Sequence, residues 1–147
     1  MNNKLKCILI IDDDEPTNFF TNIILEDAGC TDQVKTVQSG REALDYLEKS
    51  EDSDADPDFP SPDLIFLDIN MPAMDGWEFL EEYKKLHKSH KVIVVMLTTS
   101  LFPEDKLKSK GIPEIAGFEN KPLTAEKVAT VIEKYFSNVI TSLPTAV

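Results

Sequence analysis

The sequence is short of positive charge: 15 Lys and Arg face 27 Asp and Glu, for a formal net charge of -12. Proteins that neutralise a phosphate backbone display clustered Lys and Arg, so nucleic acid is not an expected partner. Long apolar runs are also missing. None approaches the roughly 18 residues of a membrane span, and no basic region followed by an apolar stretch opens the chain. Neither an anchor nor a secretory signal is expected, which makes the address cytoplasmic. Cysteine is scarce, with two in 147 residues. Cys7 lies inside an apolar run and Cys30 follows a glycine, placements that suit reduced, buried thiols better than a disulfide.

What is present is enough for one ordinary domain over 1–147: 41% apolar residues with eight Phe provide a real core, expected over about 5–140. Apolar runs occur at Leu5–Ile11, roughly Gln33–Val37, Leu64–Leu67, Val92–Leu97 and Ile115–Phe118. The first, third and fourth are nearly continuous, which means burial on both faces, as in central parallel strands covered by helices. Helix-period segments lie between them: Phe20, Ile23, Ile24 and Ala28; Ala43, Leu44 and Leu47; Phe79, Leu80, Tyr83 and Leu86; Ala125, Val128, Ile132, Tyr135 and Val139. A fourth connector, from Pro103 to Lys110, is weaker. Pro16 and Pro103 suit first-turn positions, Gly29 and Gly111 suit helix ends, and Thr124 suits an N-cap. Five βα units follow, predicting an α/β doubly wound parallel sheet with helices on both faces.

The segment over 50–62, rich in Asp, Ser and Pro, is expected as an exposed acidic loop. A calcium loop there would need a spaced Gly and a terminal bidentate Glu, and it has neither. The tail over 141–147 is expected to fray.

If the runs are strands of one sheet, Asp12, Asp13, Asp68, Thr98 and Lys121 arrive together at its carboxyl edge, where open α/β sheets bind ligands. Asp12 and Asp13 bring two carboxylates with no neighbouring base in sequence, and Mg2+ is the natural counterion, because it takes one or two carboxylates and completes its shell with water and phosphate oxygen. Asp14 and Glu15 read as helix-start acids favoured by the dipole. Asp68 ends the most apolar strand, and three facing acids repel unless a metal or a proton intervenes. A carboxylate there can cap a loop or serve as a nucleophile that forms an aspartyl phosphate. Thr98 can hydrogen-bond a phosphoryl oxygen, and Lys121 supplies a point charge. Either isomer is open to the Lys121-Pro122 bond.

The blocks ILIIDDDEPTN, PDLIFLDINMPAMDGWEFL, VIVVMLTTS and GFENKPLT, in this order and spacing, resemble the signature blocks of the response regulator receiver domain of the CheY-like superfamily. The resemblance implies a flavodoxin-like (βα)5 fold with strand order 2-1-3-4-5. It implies that Asp68 is the phosphoacceptor, that Asp13, Asp68 and the Asn70 backbone carbonyl bind Mg2+, and that Asp12 holds the ion through water. It further implies that Thr98 and Lys121 contact the phosphoryl group and that Phe118 is an aromatic switch residue moving with Thr98. Expected partners are a sensor histidine kinase, of the sort paired with bacterial phytochromes, and a downstream target. Homodimerisation is expected through the fourth helix, with Lys106, Lys108 and Lys110, the fifth strand and the fifth helix. Thr99, Asn70 and Ser100 occupy positions that vary in the family.

Alternative functions stay open. A phosphorelay intermediate would pass the group on to a His phosphotransfer protein. A Mg2+-dependent phosphatase with an Asp nucleophile would carry a second Asp two residues on, where this chain has Asn70. An FMN carrier would need a phosphate-binding loop after the first strand, and Asp12 to Glu15 would repel that phosphate. His87 and His90 carry no acceptor motif.

Overall fold

In the computed structural model, residues 4–52, 58–86, 88, 91–99, 108 and 111–137 are described. Within them the order is β1 (Leu5–Ile11), α1 (Glu15–Ala28), β2 (Thr31–Val37), α2 (Gly40–Asp52), β3 (Leu64–Asp68), α3 (Gly76–Tyr83), β4 (Ile93–Thr98), β5 (Ile115–Asn120) and α4 (Ala125–Tyr135). The five strands form one parallel sheet in the order β2-β1-β3-β4-β5, the order that the family resemblance implies. The weak connector around 103–110 lies outside the described residues except for Lys108, whose ammonium sits 4.6 Å over the Trp77 ring. Lys106, Lys110, His87, His90, Ser100 and the tail likewise lie outside them.

The continuous apolar runs divide between two faces because successive side chains alternate across a strand. Leu9, Ile11, Ile65, Leu67, Val94 and Met96 pack under Leu44 and Leu47 of α2 and Phe79 and Leu80 of α3. Ile8, Ile10, Phe66, Val95 and Leu97 pack on the opposite face against Leu25 of α1 and Val128 and Ile132 of α4. Each fully buried aliphatic side chain contributes roughly 1.5–3 kcal/mol, so the central strands anchor the sheet from both sides. The edge strands β2 and β5 are half-buried. Cys7 and Cys30 are buried free thiols, and burial raises both pKa values, that of Cys7 to about 11.

Two expectations need correction. On α1 the buried face is Asn18, Thr21, Leu25 and Ala28, while Phe19 and Phe20 are 64% exposed and Ile23 41% exposed. Of the expected apolar period, Ile24 and Ala28 reach the core while Phe20 and Ile23 face outward; in their place the helix turns toward the sheet Thr21 and Asn18, whose amide bonds the Asp12 carbonyl at the carboxyl edge. The expected acidic loop over 50–62 also begins later, since α2 continues through Asp52 and Ser50 is buried, its hydroxyl donating to the Leu47 carbonyl at 2.8 Å. Residues 53–57 lie outside the described chain. The Tyr46 hydroxyl donates to the Pro60 carbonyl at 2.6 Å, tying the return of this segment to α2.

Candidate functional site

The sheet's hydrogen bonding runs past the strand ends and carries the polar residues with it. Asp12 N–H donates to the Val37 carbonyl at 3.1 Å, Ile69 N–H to the Leu97 carbonyl at 3.2 Å, and Lys121 N–H to the Thr98 carbonyl at 2.7 Å. Asp68 and Thr98 are themselves the last residues of β3 and β4, one position beyond the apolar runs. Parallel pairing depends on backbone groups and does not stop where hydrophobicity does. Four strands, β1, β3, β4 and β5, thus deliver Asp12, Asp68, Thr98 and Lys121 to one edge.

Local structure then fixes each group. Asp14 caps α1 by accepting from Thr17 N–H at 3.1 Å, as a helix-start acid should. The Asp14 N–H donates to Asp12 Oδ1 at 2.9 Å, and the Asn18 amide donates to the Asp12 carbonyl at 2.8 Å. Past β3, Asp75 and Glu78 form a capping box that starts α3. Gly76 lies so close beneath Asp68 that a Cβ would meet the Asp68 carbonyl oxygen at 2.7 Å, so a side chain is excluded there. Its N–H donates to the Ile69 carbonyl at 2.8 Å, pinning the loop that carries Asn70.

Carboxylate oxygens of Asp12, Asp13 and Asp68 all lie within 4.8 Å of one another. Asp12 and Asp68 are buried and Asp13 is exposed, so the cluster opens to solvent on one side. The Lys121 ammonium donates to Asp12 Oδ2 at 2.5 Å and lies 3.2 Å from Asp68 Oδ1. Burial, and next the charge of Asp12, raise the Asp68 pKa to about 6 against the opposing pull of Lys121 and the Asn70 backbone N–H. Burial alone would lower the Lys121 pKa, but the bond and charge of Asp12, with those of Asp68, leave it raised. One ammonium against three carboxylates leaves net negative charge at this edge. Such an all-oxygen set, part buried and part open, fits a hard divalent cation that keeps some of its water.

Thr98 is fully buried, Asn70 is exposed, and Phe118 on β5 is half-buried against the cluster beneath α3. The Lys121-Pro122 bond is cis. Sequence reasoning takes Gly76 only as part of a turn with Asp75, and it passes over Asn18 and the bridging role of Lys127, whose ammonium donates to the Asn120 and Pro122 carbonyls at 2.8 and 3.1 Å. A polar residue interrupting an apolar helix period was the available signal for Asn18. For Lys127 there was none, because its acceptors are backbone groups that meet it only in the fold.

Among known families, the model of the response regulator receiver domain matches residues 8–133. Hybrid signal transduction histidine kinase L of Dictyostelium discoideum is 31% identical over 136 residues; the match covers 89% of this chain but 7% of that protein. A two-component response regulator from Cytophaga hutchinsonii superposes with TM-score 0.79 at 30% identity, over 89% of this chain and 96% of that one. The phosphorylated cyanobacterial phytochrome response regulator RcpA superposes with TM-score 0.72 at 27% identity, over 93% of this chain and 98% of that one. Among the described residues no helix is long and apolar enough to cross a membrane.

Proposed function

This chain belongs to the response regulator receiver family, and from that premise we propose that it is a phosphorylation-controlled switch whose Asp68 accepts a phosphoryl group from the phosphohistidine of a sensor kinase. The observation that carries the reading is the placement of the Asp68 carboxylate: buried at the end of β3, within 4.8 Å of Asp12 and Asp13 and 3.2 Å from the Lys121 ammonium. In the transfer, a carboxylate oxygen of Asp68 bonds to phosphorus as the phosphorus–nitrogen bond to histidine breaks, and the electron pair leaves with the imidazole. Lys121 neutralises charge gathering on the equatorial oxygens, and the rigid strand ends keep donor and acceptor aligned. Asp13, Asp68 and the Asn70 carbonyl would hold Mg2+ directly and Asp12 would hold it through water; when bound, the ion supplies positive charge to the phosphoryl oxygens.

After transfer, the phosphoryl oxygens offer acceptors to the Thr98 hydroxyl. Movement of Thr98 lets Phe118 turn inward, changing the outer surface of β5 and of α4, the fifth of the helical segments expected from the sequence, where a target or a second copy would bind. Catalysis is thus confined to the protein's own phosphorylation and dephosphorylation. The phytochrome association of RcpA makes a phytochrome kinase the first donor to try.

The test uses acetyl phosphate with Mg2+. Intact mass is expected to rise by one phosphoryl group, mapped to Asp68 by peptide analysis, and EDTA is expected to prevent it. Labelling at another residue, or unaffected by EDTA, would overturn the assignment.

The donor protein has a candidate docking surface. Phe19, Phe20 and Ile23 form an exposed apolar patch on α1, the helix that begins just after Asp13. Apolar patches with polar rims mark interaction sites. Phe19→Ser with Phe20→Ser is expected to slow transfer from the kinase roughly tenfold, the effect of losing an interface anchor, while labelling by acetyl phosphate stays unchanged. Parallel time courses with the two donors check this.

A further inference from the structure

Lys127 is the third residue of α4, where the backbone dipole favours anions and disfavours a cation. Its own N–H is already capped by Thr124 Oγ1 at 3.2 Å. The ammonium reaches back out of the helix and donates to the carbonyl of Asn120 at 2.8 Å and to that of Pro122 at 3.1 Å. Those two carbonyls lie on either side of Lys121. One charged group therefore bridges the chain immediately before and after the residue whose amine faces Asp12 and Asp68.

The bridge sits where the sheet's support ends. β5 is an edge strand that stops at Asn120, and Lys121 N–H makes one further ladder bond to Thr98. Beyond it the chain leaves the sheet, with buried Leu123 as its next anchor before α4. A long side chain such as that of Lys121 has several rotatable bonds, and small backbone rotations at its root are amplified at the amine. Charge-assisted bonds to both neighbouring carbonyls restrain those rotations. The bonds are worth having only in this loop conformation, which explains a cation kept against the helix dipole.

We propose that Lys127 is a positioning residue for the phosphoryl-transfer site: by bridging the Asn120 and Pro122 carbonyls it aims the Lys121 amine at the space shared by Asp12 and Asp68. The transfer half of this statement rests on the receiver reading of the site; the aiming half does not. The Lys127 ammonium is engaged by the Asn120 and Pro122 carbonyls, so its effect reaches the chemistry through Lys121.

The test compares wild type with Lys127→Met, which keeps the stem and removes the donors, and Lys127→Arg, which restores a cation with several donors. Labelling rates with acetyl phosphate and Mg2+ are measured across acetyl phosphate concentration. In parallel, acylation of Lys121 by acetic anhydride is followed by peptide mass analysis, a reading independent of phosphorylation. Lys127→Met is expected to lower the maximal rate about tenfold with little change in half-saturation, since a misaimed group costs transition-state stabilisation more than binding. Lys121 is expected to acylate several-fold faster in this variant, and Lys127→Arg to restore both. Wild-type acylation of Lys121 in the Met variant overturns the proposal, whatever the rate does. Faster acylation with a wild-type maximal rate also overturns it, because the aim would then not matter. Absence of any labelling in wild type sinks the receiver reading instead, leaving the acylation comparison to decide the aim. Should the Met variant unfold, Lys127→Gln keeps a donor for one carbonyl and is expected to fall between wild type and loss on both readings; wild-type values there overturn the proposal.

Discussion

Asp68→Asn is expected to take up no phosphoryl group from acetyl phosphate and, in EDTA near neutral pH, to unfold several degrees above wild type. The first effect follows from chemistry, since an amide has no anionic oxygen to attack phosphorus. The second follows from the Asp68 pKa, which burial and then Asp12 raise to about 6 in the fold. The folded protein therefore binds that proton more tightly than the unfolded chain does. As pH rises from about 4 to about 6 the unfolded state releases the proton first, so stability falls across this window and the cost is fully present above it. The shift corresponds to on the order of 2 kcal/mol, or several degrees for a domain of this size. Below about pH 4 both states are protonated and the advantage of the Asn variant should vanish. Mg2+ should reverse the order, because wild type gains stability by binding the ion, about 2.7 kcal/mol at a hundredfold excess over Kd, while the variant lacks one carboxylate ligand. Thermal melts at pH 4 and pH 8, with EDTA and with Mg2+, check all three statements. An Asn variant less stable than wild type at pH 8 in EDTA would show that Lys121 outweighs burial at this position.

Much of this site was legible because its residues are spaced by the strands that carry them. β1 falls on the apolar run Leu5–Ile11, and β3 extends one residue past the apolar run ending at Leu67, to Asp68, because pairing continues through the backbone. The joint arrival of Asp12, Asp68, Thr98 and Lys121 needed no side-chain detail. By contrast, α1 defeated periodicity. Its apolar residues Phe20 and Ile23 point outward, while Asn18 and Thr21 are buried. A helix whose first turn bonds the loop it leaves must present polar groups inward, and the apolar surface displaced by that demand becomes available to a partner. Gly76 was readable as a turn residue, yet its tolerance limit, a Cβ at 2.7 Å from the Asp68 carbonyl oxygen, depends on how closely α3 approaches β3.

Lys121→Met should be the most damaging single change to the working site that leaves its nucleophile in place. The ammonium sits 2.5 Å from Asp12 Oδ2 and 3.2 Å from Asp68 Oδ1, and both carboxylates are buried. Removing one partner of a buried pair leaves uncompensated charge, with losses of about 3–5 kcal/mol in well-buried cases. The site opens to solvent at Asp13, and Asp68 can answer by binding a proton, so a loss at the lower end of that range is expected in EDTA near pH 8. Lowering the pH toward 5 should recover part of it, because protonating Asp68 relieves its repulsion with Asp12. Mg2+ should recover more, since a divalent ion supplies the charge the lysine provided. Phosphoryl transfer is the exception to this rescue. The amine is a donor aimed at where charge develops, and loss of such a donor costs roughly a hundredfold in maximal rate even in a folded protein. Melts with and without Mg2+, paired with labelling rates at saturating Mg2+, separate the two contributions: recovered stability with a low rate assigns Lys121 to the transfer, whereas recovery of both would reduce it to a counterion for Asp12.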